Sequence, residues 1–225
     1  MSTINVNVGF LIVLFGISNC VFSQEFEGKI IYRTSVENAN PERISDEQFT
    51  MMFQDIDTIA ILYLNQNKYK LETLDFETNK CKTINQYDPI TRRILGYIAG
   101  DNYLCWYSET SNIASFAPTI YKDDHDTITL LGHKCSSVTL DYGNTSKVKI
   151  YYSEDYKVDR KSIENDNFGF LDYIYECGAL PMKIVTTGNG AIHNLVFTAK
   201  IISKEKLEEN TFKIPKFKEM KKSPF

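Results

Sequence analysis

Three histidines, His125, His133 and His193, and the acidic run around the first of them are the side chains best suited to chemistry in this chain. Asp123-Asp124-His125-Asp126 is the clustered set that could hold a hard cation, because carboxylate and imidazole are ordinary metal ligands. Such a site needs ligands that converge in space, and four consecutive polar residues in a strand connector usually face water. His133 and Cys135 stand two apart, so an extended strand would put thiol and imidazole on one face. A nucleophilic cysteine also needs a lowered pKa and an open cleft, and an exported thiol tends to be oxidised. No Gly-x-Ser-x-Gly elbow, phosphate-cradling glycine loop or dinucleotide fingerprint is present. The expectation is a non-enzymatic protein without catalytic residues, metal or cofactor.

The elements that would position any site begin after a hydrophobic start. Phe10 to Phe22 is apolar but for Gly16, Ser18, Asn19 and Cys20. It is too short for a bilayer, which takes about 20 residues, and has the length of a secretory h-region. Val21 and Ser23 are the small residues before a cut, so residues 1–23 read as a signal peptide and 24–225 as one domain. Cys20 opens the alternative of lipid attachment, although Asn19 suits a lipoprotein signal poorly. Four cysteines remain, Cys81, Cys105, Cys135 and Cys177, and export predicts at least one disulfide among them, with the pairing open.

The net charge is −4 with both signs interspersed, so the basic stripe of a nucleic-acid binder is lacking. The Lys-rich end, Lys213 to Lys222, reads as a solvated terminal segment. Aromatic residues make up 13%, a composition that favours pleated, half-buried surfaces. Glu25 to Thr34 alternates, with Phe26, Gly28, Ile30 and Tyr32 on one side. Further strands fit Thr58–Leu64, Lys68–Leu74, Cys81–Tyr87, Arg93–Ile98, Tyr103–Ser108, Thr127–Leu131, Lys134–Tyr142, Lys147–Tyr152, Pro181–Thr187 and Ala191–Ile202. In the last of these Leu195, Phe197, Ala199 and Ile201 should share a face. Asn40 and Pro41 start a helix to Ile56, with Phe49, Met52, Phe53 and Ile56 as its apolar stripe. A second short helix fits Phe168–Glu176, with Gly178 as its left-handed stop.

Several segments, in order, resemble a known family. Phe26 to Tyr32 is similar to an opening F-x-G-x-I-x-Y. Asp126 to Cys135 resembles K-x-I-x-G-[YH]-K-C, and Lys147 to Glu154 resembles an evWYtpe strand. Gly178-Ala179-Leu180-Pro181-Met182 looks like a drifted G-L-P-G-L, and Phe212-Lys213-Ile214-Pro215 like a closing F-x-I-P. These are marks of GLPGLI-type exported envelope proteins, related in fold to the LolA and LolB lipoprotein carriers. Tyr151 replaces the usual tryptophan and Met182 the second glycine. The resemblance implies a Gram-negative envelope location, in the periplasm or at the outer membrane, and a half-barrel holding an apolar guest under helical lids.

The expected fold is therefore mainly β: a single curved antiparallel sheet, or half-barrel, of about ten strands with one or two covering helices. The helix Pro41–Ile56 is the expected cover. Candidate ligand-binding residues on the apolar face are Ile30, Tyr32, Tyr69, Leu71, Val148, Ile150, Leu195 and Phe197. The expected occupant is a lipid or a lipoprotein acyl chain, with no nucleic acid. An envelope protein partner is the alternative, in which the core is closed and no ligand is held.

Overall fold

A computed structural model of the chain describes residues 26–53, 58–65, 68–88, 90–91, 93–100, 103–108, 118–158, 170–214, 216–217 and 219–222. The hydrophobic start and the proposed cleavage point lie outside these residues. Strands β1 (Glu27–Asn38), β2 (Thr58–Asn65), β3 (Lys68–Asp75), β4 (Cys81–Asp88), β5 (Arg93–Ile98) and β6 (Tyr103–Ser108) form a meander. Strands β7 (Thr119–Leu130), β8 (His133–Asp141), β9 (Ser146–Lys157), β10 (Ala179–Gly188) and β11 (His193–Lys204) form a second one. Pairing of β1 with β11 joins the two into one sheet of 12 strands, ordered β12-β6-β5-β4-β3-β2-β1-β11-β10-β9-β8-β7. The last strand, β12 (Glu219–Lys222), runs parallel to β6.

Chain length requires this sheet to curl. Between β6 and β7 lie ten strand spacings, about 48 Å in a flat sheet. The chain from Ser108 to Thr119 reaches about 40 Å at full extension. Ring contacts agree with the curl: Phe26, just before β1, and Tyr156, on β9 three strands away, meet edge to face at 6.5 Å between centroids. Gly28 permits the tightest approach. Its φ is +152°, and a Cβ there would lie 2.0 Å from the Ser203 carbonyl oxygen on β11.

One face of the sheet carries the core. Ile30, Tyr32, Leu62, Leu140, Ile150, Leu180 and Ile174 are fully buried in a single cluster that spans both meanders. Helix α2 (Phe170–Cys177) supplies Ile174 and Cys177 and lies against β9 and β10. It ends at Gly178, whose φ of +65° lets its N–H return to the Ile174 carbonyl at 2.8 Å.

Two expectations need correction. Helix α1 is shorter than expected, Asp46–Phe53, and lies against β1. Its start is set by Ser45 and Gln48, which cap each other at 3.3 Å in a capping box, rather than by Asn40. Met52, assigned to the buried stripe, is 59% exposed, and Ile56 lies outside the described residues. In β11 the register slips by one residue between the Ile31–Ile201 and Tyr32–Ala199 pairs. This bulge returns Ile202 to the core and leaves Ile201 half exposed on the opposite side from Ala199. The described residues of Lys213–Lys222 are exposed but for the half-buried Ile214, in line with a solvated terminus, although its backbone adds β12 to the β6 edge; Phe212, just before it, is buried.

Candidate functional site

Seven of the eight sequence-derived candidates lie in or against one cluster. Ile30, Tyr32, Tyr69, Val148 and Ile150 are buried members, and Leu71 and Phe197 are half-buried at its margin. Leu195 shares the face of Phe197 but stands outside the cluster, opposite Val36 on β1 and Thr186 on β10. The alternation of each strand explains the convergence. Cross-strand partners share a face, and Thr34, Phe197, Ile184, Ile150 and Val138 form one row across five strands.

Adjacent strands β3 and β4 show a gradient along this face. Tyr69 and Tyr87 stack with ring planes 7° apart and centroids at 6.3 Å. Two residues on, Leu71 opposes Asn85; two further on, Thr73 opposes Thr83 and their hydroxyls are hydrogen-bonded. Across the sheet Thr34, also buried, donates to the Thr58 carbonyl at 2.9 Å. On β3 and β4 the apolar end lies toward the start of β1 and the hydroxyl-bearing end toward α1, while β11 carries the apolar Phe197 and Leu195 at that second end. Thr73 and Thr83 escape a sequence reading because threonine in an alternating strand reads first as a β-former, and Asn85 because its place opposite Leu71 follows only from the register.

The two helices stand at opposite ends. α2 precedes β10 and covers the fully buried end beside Tyr32, whose hydroxyl is pushed far above its usual range by burial and, secondarily, by Cys177. α1 follows β1 at the other end, where Phe49 and Phe53 pack together and Phe53 lies 5.1 Å from the His193 ring. Between these covers Leu71, Thr73, Thr83, Asn85, Leu195 and Phe197 all retain partial solvent access.

With this geometry in view, likenesses to solved structures concern fold alone. No protein-family model and no curated protein matches the sequence. An uncharacterized conserved protein from Thermus thermophilus overlays at a TM-score of 0.50 with 8% identity, covering 88% of this chain and 91% of that one. PNGF-II overlays at 0.49 with 15% identity over 88% of this chain, which spans only 31% of the PNGF-II chain. A LolA superfamily protein from Nitrosomonas europaea overlays at 0.40 with 8% identity, covering 86% and 92%. The expected half-barrel plan is present in this chain's own topology: one large open curved sheet with helices on its core face.

The polar candidates have other employment. Asp123 to Asp126 lie within β7, in a bulge between the Asp123–Ser137 and Ile128–Cys135 pairs, rather than in a connector. Asp123 Oδ1 accepts the backbone N–H groups of His125 and Asp126. The Asp126 carboxylate accepts from Lys149, Ser137 and Tyr151, and the Lys149 ammonium holds it below the usual carboxylate range. The Cys135 thiol donates to the His133 carbonyl at 3.6 Å, and burial pushes it up, away from thiolate. His133 itself, missed as a polar hub, places Nδ1 2.6 Å from Asp155 and Nε2 3.1 Å from the Tyr156 hydroxyl. Both ring nitrogens are therefore occupied by neighbours that orient the ring, and neither faces a serine or cysteine nucleophile.

No disulfide joins Cys81, Cys105, Cys135 or Cys177, contrary to expectation. Cys81 on β4 and Cys105 on β6 are separated by an intervening strand, about 10 Å, beyond the roughly 7 Å Cα limit of a bridge.

Proposed function

We propose that this chain is an exported, non-enzymatic protein of the Gram-negative cell envelope that holds an apolar guest, a lipid or a lipoprotein acyl chain, on the core face of its half-barrel. The observation that carries the reading is the incomplete closure of that face. Ile30, Tyr32, Val148 and Ile150 are sealed, whereas Leu71, Leu195 and Phe197 on the same face keep partial solvent access between two short helices. Burying a dozen methylenes against them yields about 10 kcal/mol gross at roughly 0.8 each, before ordering costs. The ordered resemblance to exported envelope proteins supports the location.

The test is native mass spectrometry of the chain purified from its own envelope fraction, followed by organic extraction. The expected result is a stoichiometric apolar adduct that is lost in L71D and F197D while far-UV circular dichroism is retained. A clean apo mass from the native source overturns the reading.

One observation favours the alternative, an interaction module for an envelope protein. On the outer face Ile31 pairs with both Ile201 and Ile61, and Ile201 is 51% exposed, so an apolar strip crosses β11, β1 and β2. Crosslinking in whole envelopes that captured one defined protein through a photoprobe placed at Ile201, with no lipid in the extract, would select this reading.

A further inference from the structure

We infer that the guest is an amphiphile with an uncharged, hydroxyl-bearing head, an acyl chain directed toward Tyr69 and Tyr87 and the head against Thr73, Thr83 and Asn85. This deepens the carrier reading and rests on it.

The inference comes from the order of side chains along β3 and β4. From one end of the core face to the other the opposed pairs run Tyr69–Tyr87, Leu71–Asn85 and Thr73–Thr83. The change from aromatic to hydroxyl takes four residues, about 13 Å of strand. The aromatic pair is buried, and the Asn85, Thr73 and Thr83 side chains are half-buried on the same face. Valine would serve the pleat equally well at the two threonines if the face met only hydrocarbon. Hydroxyl and amide groups instead both donate and accept, and each threonine oxygen keeps acceptor capacity beyond the Thr73–Thr83 bond.

Charge decides the class of head. Beyond Thr73 the next inward position on β3 is Asp75, and its carboxylate is already held by Lys82 at 3.0 Å and by Thr78. Lys82 is the cation beside the patch, and it is already engaged by Asp75. A carboxylate or phosphate head buried there would lose water, would have to compete with Asp75 for Lys82, and would be repelled by the Asp75 carboxylate. A diol or sugar-like head exchanges its water for the hydroxyl and amide groups at little cost.

The experiment uses the mature chain after delipidation and three probes that share one acyl chain: 1-monopalmitoylglycerol, palmitate and methyl palmitate. Binding is read by calorimetry at pH 8 below each probe's micellar concentration and checked by native mass spectrometry. The glyceride is expected to bind about 25-fold more tightly than either other probe, at roughly fivefold for each of two hydrogen bonds gained. T73V/T83V should bring the glyceride down to the methyl ester's affinity and leave the ester unchanged. Both hydroxyls are removed together, so neither is stranded and the fold should be retained. N85L serves as a second variant with the same expected direction. Palmitate binding as tightly as the glyceride, or an ester equal to it in the unaltered chain, overturns the head assignment while the apolar-guest reading stands. Failure of all three probes to bind overturns both.

Discussion

The hydroxyl of Tyr32 donates to the carbonyl of Pro181 at 2.9 Å, across 149 positions of chain, in a fully buried setting. Tyr32 closes the opening F-x-G-x-I-x-Y pattern and Pro181 belongs to the drifted G-L-P element, so one hydrogen bond ties two elements of the resemblance together. Pro181 falls where β10 departs from regular pairing with β9, between two register shifts. A residue with no N–H fits there, and its carbonyl needs a partner from outside the ladder.

Replacing Tyr32 by Phe keeps the ring against Phe197 and strands the Pro181 carbonyl. The expected cost is about 1–3 kcal/mol, the penalty for a buried acceptor left unmade. In a domain of this size it should appear as a fall in Tm of roughly 2–10 °C in a thermal melt. An unchanged Tm would show that the bond contributes nothing net.

Gly28 makes a sharper demand. An added methyl would meet backbone atoms of Ser203 rather than a flexible side chain, at a φ that side chains rarely adopt. G28A should therefore cost about 3 kcal/mol or more, by urea denaturation, or prevent folding. A loss under about 1 kcal/mol would mean that β1 and β11 can separate at this point without consequence for the curl.

Strand alternation makes most of this fold legible. Arg93–Ile98 and Tyr103–Ser108 agree with β5 and β6 to the residue, and the core-facing set on β1 follows from its period of two. Legibility fails where pairing departs from that period. The slip opposite Tyr32 sends Ile201 outward against the sequence expectation, and the bulge at Asp124 to Thr127 makes strand of an apparent connector. The Lys-rich terminus is exposed as its composition suggests, but its pairing with β6 is not legible, since main-chain hydrogen bonding leaves no trace in residue types. At the candidate site the apolar members are legible, while the hydroxyl end is not, since nothing in sequence aligns Thr73 with Thr83 until the register is known.

Stability should form a plateau with two defined limbs. Lys149 holds Asp126, Lys147 holds Asp141 and His133 holds Asp155 below the usual carboxylate range. Each contribution is complete above the unfolded value of about 3.9 and is lost as pH falls through the lowered folded values. On the alkaline side burial, aided by Glu72, pushes Tyr63 up to about 12. The folded state therefore holds that proton more tightly than the unfolded chain, and stability declines between about pH 10 and 12. Lys147 and Lys149, raised by their carboxylate partners, lose their contributions in the same direction. Melting temperature against pH should be flat near neutrality, with D126N flattening part of the acid limb and Y63F part of the alkaline one.

The C-terminal segment should act as a strap keyed by one ammonium. Lys70 is nearly buried, paired with Glu72 at 2.6 Å, and donates to the carbonyls of Thr211 at 2.9 Å and Lys213 at 3.4 Å. Lys68 assists from two residues away, bound to Glu209 at 3.0 Å with its ammonium over the Phe212 ring. K70A leaves Glu72 without its cation and two carbonyls without their donor, an expected loss of about 3 kcal/mol. A chain ending at Leu207 removes the same carbonyls from the other side and leaves Lys70 with Glu72 alone, so it should also lose stability and expose apolar surface to a dye such as ANS. Because both changes break one set of contacts, their combined effect in urea melts should fall short of the sum by about 1 kcal/mol or more. Strict additivity would mean that the strap is held by Phe212 and β12 alone and that the Lys70 contacts are incidental.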